Sequence, residues 1–367
     1  ADGLRSLDAN PEVAEELGAE AVTRLRSFGK FILGMAHAGV AMLYDRGFVV
    51  DETTDLTQAQ EPVDYMALMD AAMAYMDEAI SIANGANFDI PAAWMANDHS
   101  SDEFVRIMHS YKARFMAQVA RTPAEREDLN WNAIIAEVDL GIQDTYIMTF
   151  DWDLGWENVV MGYQAWYSWS QLSYWVYGMA DQSGNYQEWL ALPMGDKSYQ
   201  FSDGRNVLIV TPDQRYPQGS TVDEQLANGE RYFMTTPANW QGNTWKKPER
   251  GVWRWSWYKD AIGHRFGYWW DDVFDQPEIH ITEMDMLKAE GLFRLGGQNA
   301  QVAELINRSR TIAGGLQPTD AAGTNADCVP RLPNGSCGNL WEMLKWEKRM
   351  ETMFTGFVQN NWWFDGR

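Results

Sequence analysis

From Val22 onward, apolar side chains recur at Leu25, Phe28, Ile32, Met35, Val40 and Leu43, close to the period of about 3.6 residues that marks an amphipathic helix. Gly29, Gly34, Ala36 and Gly39 are interleaved with them, and small residues let a second helix approach closely. A second stripe, Met66, Met69, Met73, Met76 and Ile80, ends at the Asn84-Gly85 stop signal. A third helix is predicted over about 102–121 from Phe104, Ile107, Tyr111, Phe115 and Val119, and a fourth over roughly 131–143. Together they make two antiparallel helix pairs. Helical periodicity returns at 278–296, 298–313 and 340–357.

Between these helical ends the texture changes. Residues 145–277 lose the helical period and are dominated by Gly, Asn, Gln, Ser and aromatic side chains. The reading is a mainly α protein of tetratricopeptide-like antiparallel helix pairs with a large irregular aromatic-rich insertion. Its segments are 1–144, helix pairs; 145–277, the insertion and the expected ligand-binding face; and 278–367, the C-terminal helices, all in one structural unit. The methionine stripes are expected to fill the core.

Composition narrows the partners. Lys and Arg total 29 against 52 Asp and Glu, a net charge of −23, which repels phosphate backbones and argues against nucleic acid. The longest apolar run, "FILGMAHAGVAML", is shorter than the roughly 20 residues a bilayer span needs. No secretory leader opens the chain at Ala1, so an exported protein would have had its leader removed or encoded outside this sequence. The two cysteines, Cys328 and Cys337, flank Pro330, Pro333 and an Asn334-Gly335 turn signal, so a disulfide is sterically reasonable, with two free thiols as the alternative. A disulfide would imply an oxidising compartment.

No nucleotide-binding, nucleophile-elbow or zinc-protease motif occurs. The histidines His37, His99, His109, His264 and His280 are scattered and read as structural. Three acidic clusters, Asp51/Glu52/Asp55, Asp151/Asp153 and Asp271/Asp272/Asp275, have oxygen ligands suited to Ca²⁺ but lack EF-hand spacing, so solvated loop carboxylates are favoured and no cofactor is expected. Carboxylates among tryptophans also admit a glycoside hydrolase, although these pairs are sequence neighbours.

The 19 tryptophans divide into two settings. Trp253, Trp255 and Trp257 alternate along one strand face, where three bare indoles would exceed the patch a monomer exposes, so core packing is expected. Trp240 and Trp245 stand among Asn239, Asn243 and other amides, and Tyr186, Trp189, Trp152 and Trp156 lie in similar polar stretches. An indole face can pack on the C–H face of a pyranose while amides and carboxylates bond the ring hydroxyls, so these residues are the candidate glycan contacts. The alternative is that they wedge the insertion onto the helices.

The C-terminal third carries the most specific pattern. Leu287-Lys288-Ala289-Glu290 is followed by Ile306-Asn307-Arg308-Ser309-Arg310, by Glu347-Lys348-Arg349-Met350-Glu351 and Gly356, and by Trp363-Phe364-Asp365-Gly366-Arg367. In order and type these resemble the SusD/RagB family of outer-membrane nutrient-binding lipoproteins. The resemblance implies a non-enzymatic protein at the cell surface, in the outer membrane or extracellular, that captures an oligosaccharide, a polysaccharide or another nutrient for a TonB-dependent outer-membrane transporter. No Cys lies near Ala1, so the lipid anchor is implied by kinship only, and the chain stops at Arg367, where family members usually continue. Glu347, Arg349, Glu351, Asp365 and Arg367 are expected to form an ion-pair network that pins the terminal segment. A structural subunit of a self-assembled extracellular complex, and with it a homo-oligomer, stays open as a second reading.

Overall fold

The helical periods become helices. In this computed structural model, which describes residues 1–151, 153, 171–228, 231–236, 239–240, 243–244, 256–261, 273–353 and 355–356, the chain forms two compact units. The first comprises Ala1–Met148, Pro277–Arg294 and Asn360–Arg367, the second Thr149–Gln276 and Leu295–Gln359. The 278–367 segment is thus shared between the units, with residues 295–359 belonging to the same unit as the aromatic-rich stretch.

In the first unit the helices are α1 (Asp2–Ala9), α2 (Pro11–Leu43), α3 (Tyr65–Ala83), α4 (Ala92–Met95), α5 (Ser101–Gln118), α6 (Pro123–Glu127) and α7 (Trp131–Leu140). Gly18 interrupts α2 with φ 82°, a left-handed value that glycine adopts without a Cβ penalty. The expected stripe on α2 is rotated: Ile32, Val40 and Leu43 are exposed, while Phe31, Leu33, Gly34, Ala38, Ala41 and Met42 are buried. The small residues decide this. A Cβ on Gly34 would stand 2.6 Å from Met76 and 3.1 Å from the Ala72 carbonyl, so the face that admits α3 most closely becomes the core face. From α3, Met69 and Met76 enter that core as expected, whereas Met66 stays exposed. Helix α5 begins at a capping box of Ser100 and Glu103 and buries Phe104, Ile107 and Tyr111.

Charged pairs tie this unit together. Arg126 forks onto Glu290 of the "LKAE" motif at 2.7 and 2.8 Å, and Arg114 onto Glu283 at 2.8 and 2.8 Å, both in buried settings. Glu283 and Glu290 lie on α11, Ile281–Leu295. The acidic loop after α2 satisfies itself: Asp51 accepts from the Thr53 and Thr54 hydroxyls and from the Tyr75 phenol, and Glu52 pairs with Lys30 at 2.7 Å. His37 is a satisfied core residue, since its Nε2 accepts from the Val50 amide and its Nδ1–H donates to the Leu33 carbonyl.

Among its described residues the second unit has three short helices, α8 (Tyr174–Tyr177), α9 (Asn185–Ala191) and α10 (Val222–Ala227), followed later by α12 (Asn299–Arg310) and α13 (Leu340–Thr352). Its core is aromatic: Tyr174, Tyr177, Tyr186, Trp189, Tyr216, Phe233, Trp257, Tyr258 and Trp346 are all buried in one cluster. Trp257 is therefore core, as the alternation predicts; Trp253 and Trp255 lie outside the described residues. Among the described residues the strands include Phe233–Thr235, paired antiparallel with Tyr258–Asp260. Cys328 and Cys337 form a disulfide, with Cα atoms 4.6 Å apart, in the loop between α12 and α13.

Candidate functional site

A turn held by one carboxylate organises the aromatic cluster of the second unit. Asp181 is fully buried and accepts five hydrogen bonds, from the amides of Ser183, Gly184, Tyr186 and Val210 and from the Ser183 hydroxyl. This locks the step from α8 to α9. Gly178 lies within it with no room for a side chain, because a Cβ would stand 2.1 Å from the Tyr186 ring.

On α8, Tyr174 and Tyr177 are three residues apart and therefore share a face, which is buried. Trp175 points the other way. At 42% exposure it is the one exposed tryptophan among those whose side chains are described. Leaving that much indole in water forgoes roughly 2–3 kcal/mol of burial. The ring is nonetheless fixed. Its centroid lies 5.0 Å from that of Trp189 in an edge-to-face arrangement, and the Lys197 Nζ stands 5.3 Å from it. Lys197 is itself buried, 4.7 Å from the Trp189 ring centroid, and donates to the Trp189 and Leu190 carbonyls at 2.6 and 2.7 Å, capping the end of α9. Burial pushes its ammonium pKa down, and no carboxylate pairs with it among the described residues. The result is a partly exposed indole packed on a cationic and aromatic support.

The expected contacts fare differently. Trp189 is completely buried and Tyr186 is 3% exposed, so neither offers a face to a sugar, and that assignment is corrected. Their rings stack on one another, 6.3 Å apart and 19° from parallel, and the Trp189 Nε1–H donates to the Ser198 carbonyl. They form the support beneath Trp175. Asn239, Trp240, Asn243 and Thr244 form a two-stranded antiparallel ladder in which Trp240 is opposite Asn243 and Asn239 opposite Thr244. Trp152, Trp156 and Trp245 lie outside the described residues. Trp175 went unnoticed in the sequence, although the Tyr174–Tyr177 spacing in "SYWVYG" is the signal that turns it outward.

The carboxylates of the tail motif also find other partners. Glu347 and Glu351 are buried, but the cation between them is Arg215, which reaches Glu347 at 2.6 Å and Glu351 at 3.7 Å. Arg349 instead donates to the Val176 carbonyl at 2.7 Å. The expected Arg349 pairing is corrected, because one helical turn directs Glu347 and Glu351 inward and Arg349 sideways. Asp365 and Arg367 lie outside the described residues. No group of three acidic, His or Cys side chains suited to a metal occurs among the described residues, and no helix among them is long and apolar enough to cross a membrane.

No protein-family model matches the sequence, and no curated protein does. In structure the chain is similar to a SusD superfamily protein from Bacteroides vulgatus ATCC 8482, at a TM-score of 0.47 and 13% identity, over 98% of this chain and 70% of that one. It is also similar to a SusD-like protein from Bacteroides fragilis NCTC 9343, at a TM-score of 0.47 and 13% identity, over 95% of this chain and 70% of that one.

Proposed function

We propose that the protein is a non-catalytic carbohydrate-capture protein that presents an oligosaccharide to an outer-membrane transporter of the TonB-dependent kind. The observation that carries the reading is Trp175, a partly exposed indole packed on Trp189 and Lys197. A pyranose is amphipathic in the same sense as this surface. Its C–H face gains from covering an indole, and its hydroxyls keep their hydrogen bonds to water or to polar side chains. Because Trp175 is already fixed before a ligand arrives, little side-chain entropy is lost on binding. The motif resemblance of Glu290, Asn307, Glu347 and Glu351 supports the same reading and is the source of the transporter and the cell-surface location.

A glycan array followed by titration calorimetry tests it. Trp175→Ala is expected to weaken binding of the retained oligosaccharide by about tenfold or more, the loss expected for one stacking aromatic, while the thermal midpoint stays unchanged. A protein that retains no glycan, or a Trp175→Ala variant that binds as well as the parent, would refute the proposal.

A further inference from the structure

We infer that a second feature of the same unit selects acidic sugars: a cavity on α13 receives the carboxylate of a uronate, which makes the ligand a uronate-containing oligosaccharide. This rests on the carbohydrate reading above. The cavity has a volume of about 450 Å³, within the usual range of ligand pockets. Its apolar wall is Met179, Leu332, Pro333 and Trp346, and its polar rim includes Lys345 and Arg349.

Arg349 is the unusual member. It is half-buried, its guanidinium carbon stands 6.0 Å from the Trp346 ring centroid, and its Nη1 is held by the Val176 carbonyl. Among the described residues no carboxylate pairs with it, although the chain carries 52 acidic against 29 basic side chains. By contrast, the buried Arg114, Arg126 and Arg215 each meet at least one carboxylate. A guanidinium with donors to spare, beside a cavity in so acidic a chain, fits a carboxylate supplied by the ligand, which it can hold in a two-pronged geometry.

The rest of the rim suits a sugar ring better than a simple acid. Asn334 accepts from the Ser336 amide and hydroxyl through Oδ1, which leaves its amide N–H groups as donors. Glu342, paired with Lys345 at 2.8 Å, supplies acceptors for hydroxyl protons. A neutral sugar would fill the same space and leave the guanidinium without its counter-charge, so the lining discriminates by charge.

The test compares a uronate-containing tetrasaccharide with its carboxyl-reduced counterpart, which differs only in carrying –CH₂OH for –COO⁻. Calorimetry on the parent protein is expected to favour the uronate by about ten- to a hundredfold, the range for a hydrogen-bonded charge. Arg349→Met should bring the two within about twofold, with the larger loss on the uronate ligand. Lys345→Gln, at an exposed position, keeps the test intact if Arg349→Met fails to fold, and should narrow the preference by about threefold. Equal affinities in the parent, a preference that survives both variants, or a hexaglutamate peptide that displaces the uronate ligand at similar concentration would each overturn the inference. Trp175→Ala, measured alongside on the reduced ligand, separates the outcomes. Binding lost there without any uronate preference in the parent overturns the cavity assignment alone, whereas no binding of either ligand overturns the carbohydrate reading as well.

Discussion

Replacing Arg215 with methionine removes one cation and keeps most of the volume, and the structure sets the size of the effect. The guanidinium is completely buried and forks twice, onto Asp213 at 2.9 and 2.7 Å and onto Glu347 at 2.6 and 3.3 Å, with Ser309 and Glu351 beside it. Breaking one buried pair from one side costs about 3–5 kcal/mol because the partner charge is stranded. Here two partners are stranded, and the nearest remaining cation, Arg310, stands 3.7 Å from Glu347, so the cost is expected at the top of that range. Burial already pushes the Glu347 carboxyl up from its ordinary pKa, and Arg215 is the main group opposing that push. Without it the folded variant takes up a proton that the unfolded chain releases. A folded value above the unfolded one means stability falls as pH rises between the two, by about 1.4 kcal/mol per pH unit per proton. Urea unfolding should therefore show a larger deficit at pH 8 than at pH 5. Amide hydrogen exchange across Leu340–Thr352 would follow the second unit by itself. Adding Glu347→Gln should restore part of the loss. A deficit under about 1 kcal/mol, far below the buried-pair range, or one independent of pH, would refute the reasoning.

Trp189→Ala removes a fully buried indole and should cost about 3–5 kcal/mol of stability in a denaturant titration, the reverse of the Trp175→Ala behaviour. Gly178→Ala forces a methyl group into the Tyr186 ring and should lower stability by about 1–3 kcal/mol, checked by thermal unfolding. Reducing the disulfide, which spans a separation of 9 residues, should lower stability by about 2.6 kcal/mol on the chain-entropy relation, checked by thermal unfolding with and without reductant. At Asp51, burial alone would raise the pKa, but hydrogen bonds from Thr53, Thr54 and Tyr75 prevail and bring it down to about 2. Its contribution is present above the ordinary value of 3.8 and is lost as pH falls toward about 2, so Asp51→Asn should flatten the acid limb of a melting-temperature profile in that window.

What could be read from the sequence follows from the range of the forces involved. Helices α3, α5, α7, α11, α12 and α13 were legible because their signals are local: an apolar repeat, a cap, a stop. The phase of α2 was less so, since Ile32 and Phe31 are equally apolar and only the approach of α3 over Gly34 chooses between them. The fate of the indoles depends on residues far away in sequence. Trp189 looks like a loop aromatic among amides, yet Tyr174 and Trp175 cover it from fifteen and fourteen positions upstream, at ring-centroid distances of 5.3 and 5.0 Å. The charge network shows the same limit. Glu347 and Glu351 one turn apart suggested an ion-pair network with Arg349, Asp365 and Arg367, but Arg215, 132 positions from Glu347, carries no local mark of its role. The disulfide needed only ten residues of chain and two turn signals, which is why its geometry was accessible.

The loop bearing that disulfide is organised from the inside. Arg310, with no exposed surface, donates to the Gln317 carbonyl at 2.8 Å, to the Val329 carbonyl at 2.7 Å and to the Asn325 side chain at 2.9 Å, and Asn325 in turn donates to the Gly338 carbonyl at 3.0 Å. One guanidinium thus acts as a hub from which the strap is strung at several points along its length. Severing the sulfur link would lower the melting point yet leave in place the bonds of Arg310 to Gln317, Asn325 and Val329. Thermal resistance and the course of the loop around its hub are therefore separable properties: the thiol couple governs the first, and a single arginine the second.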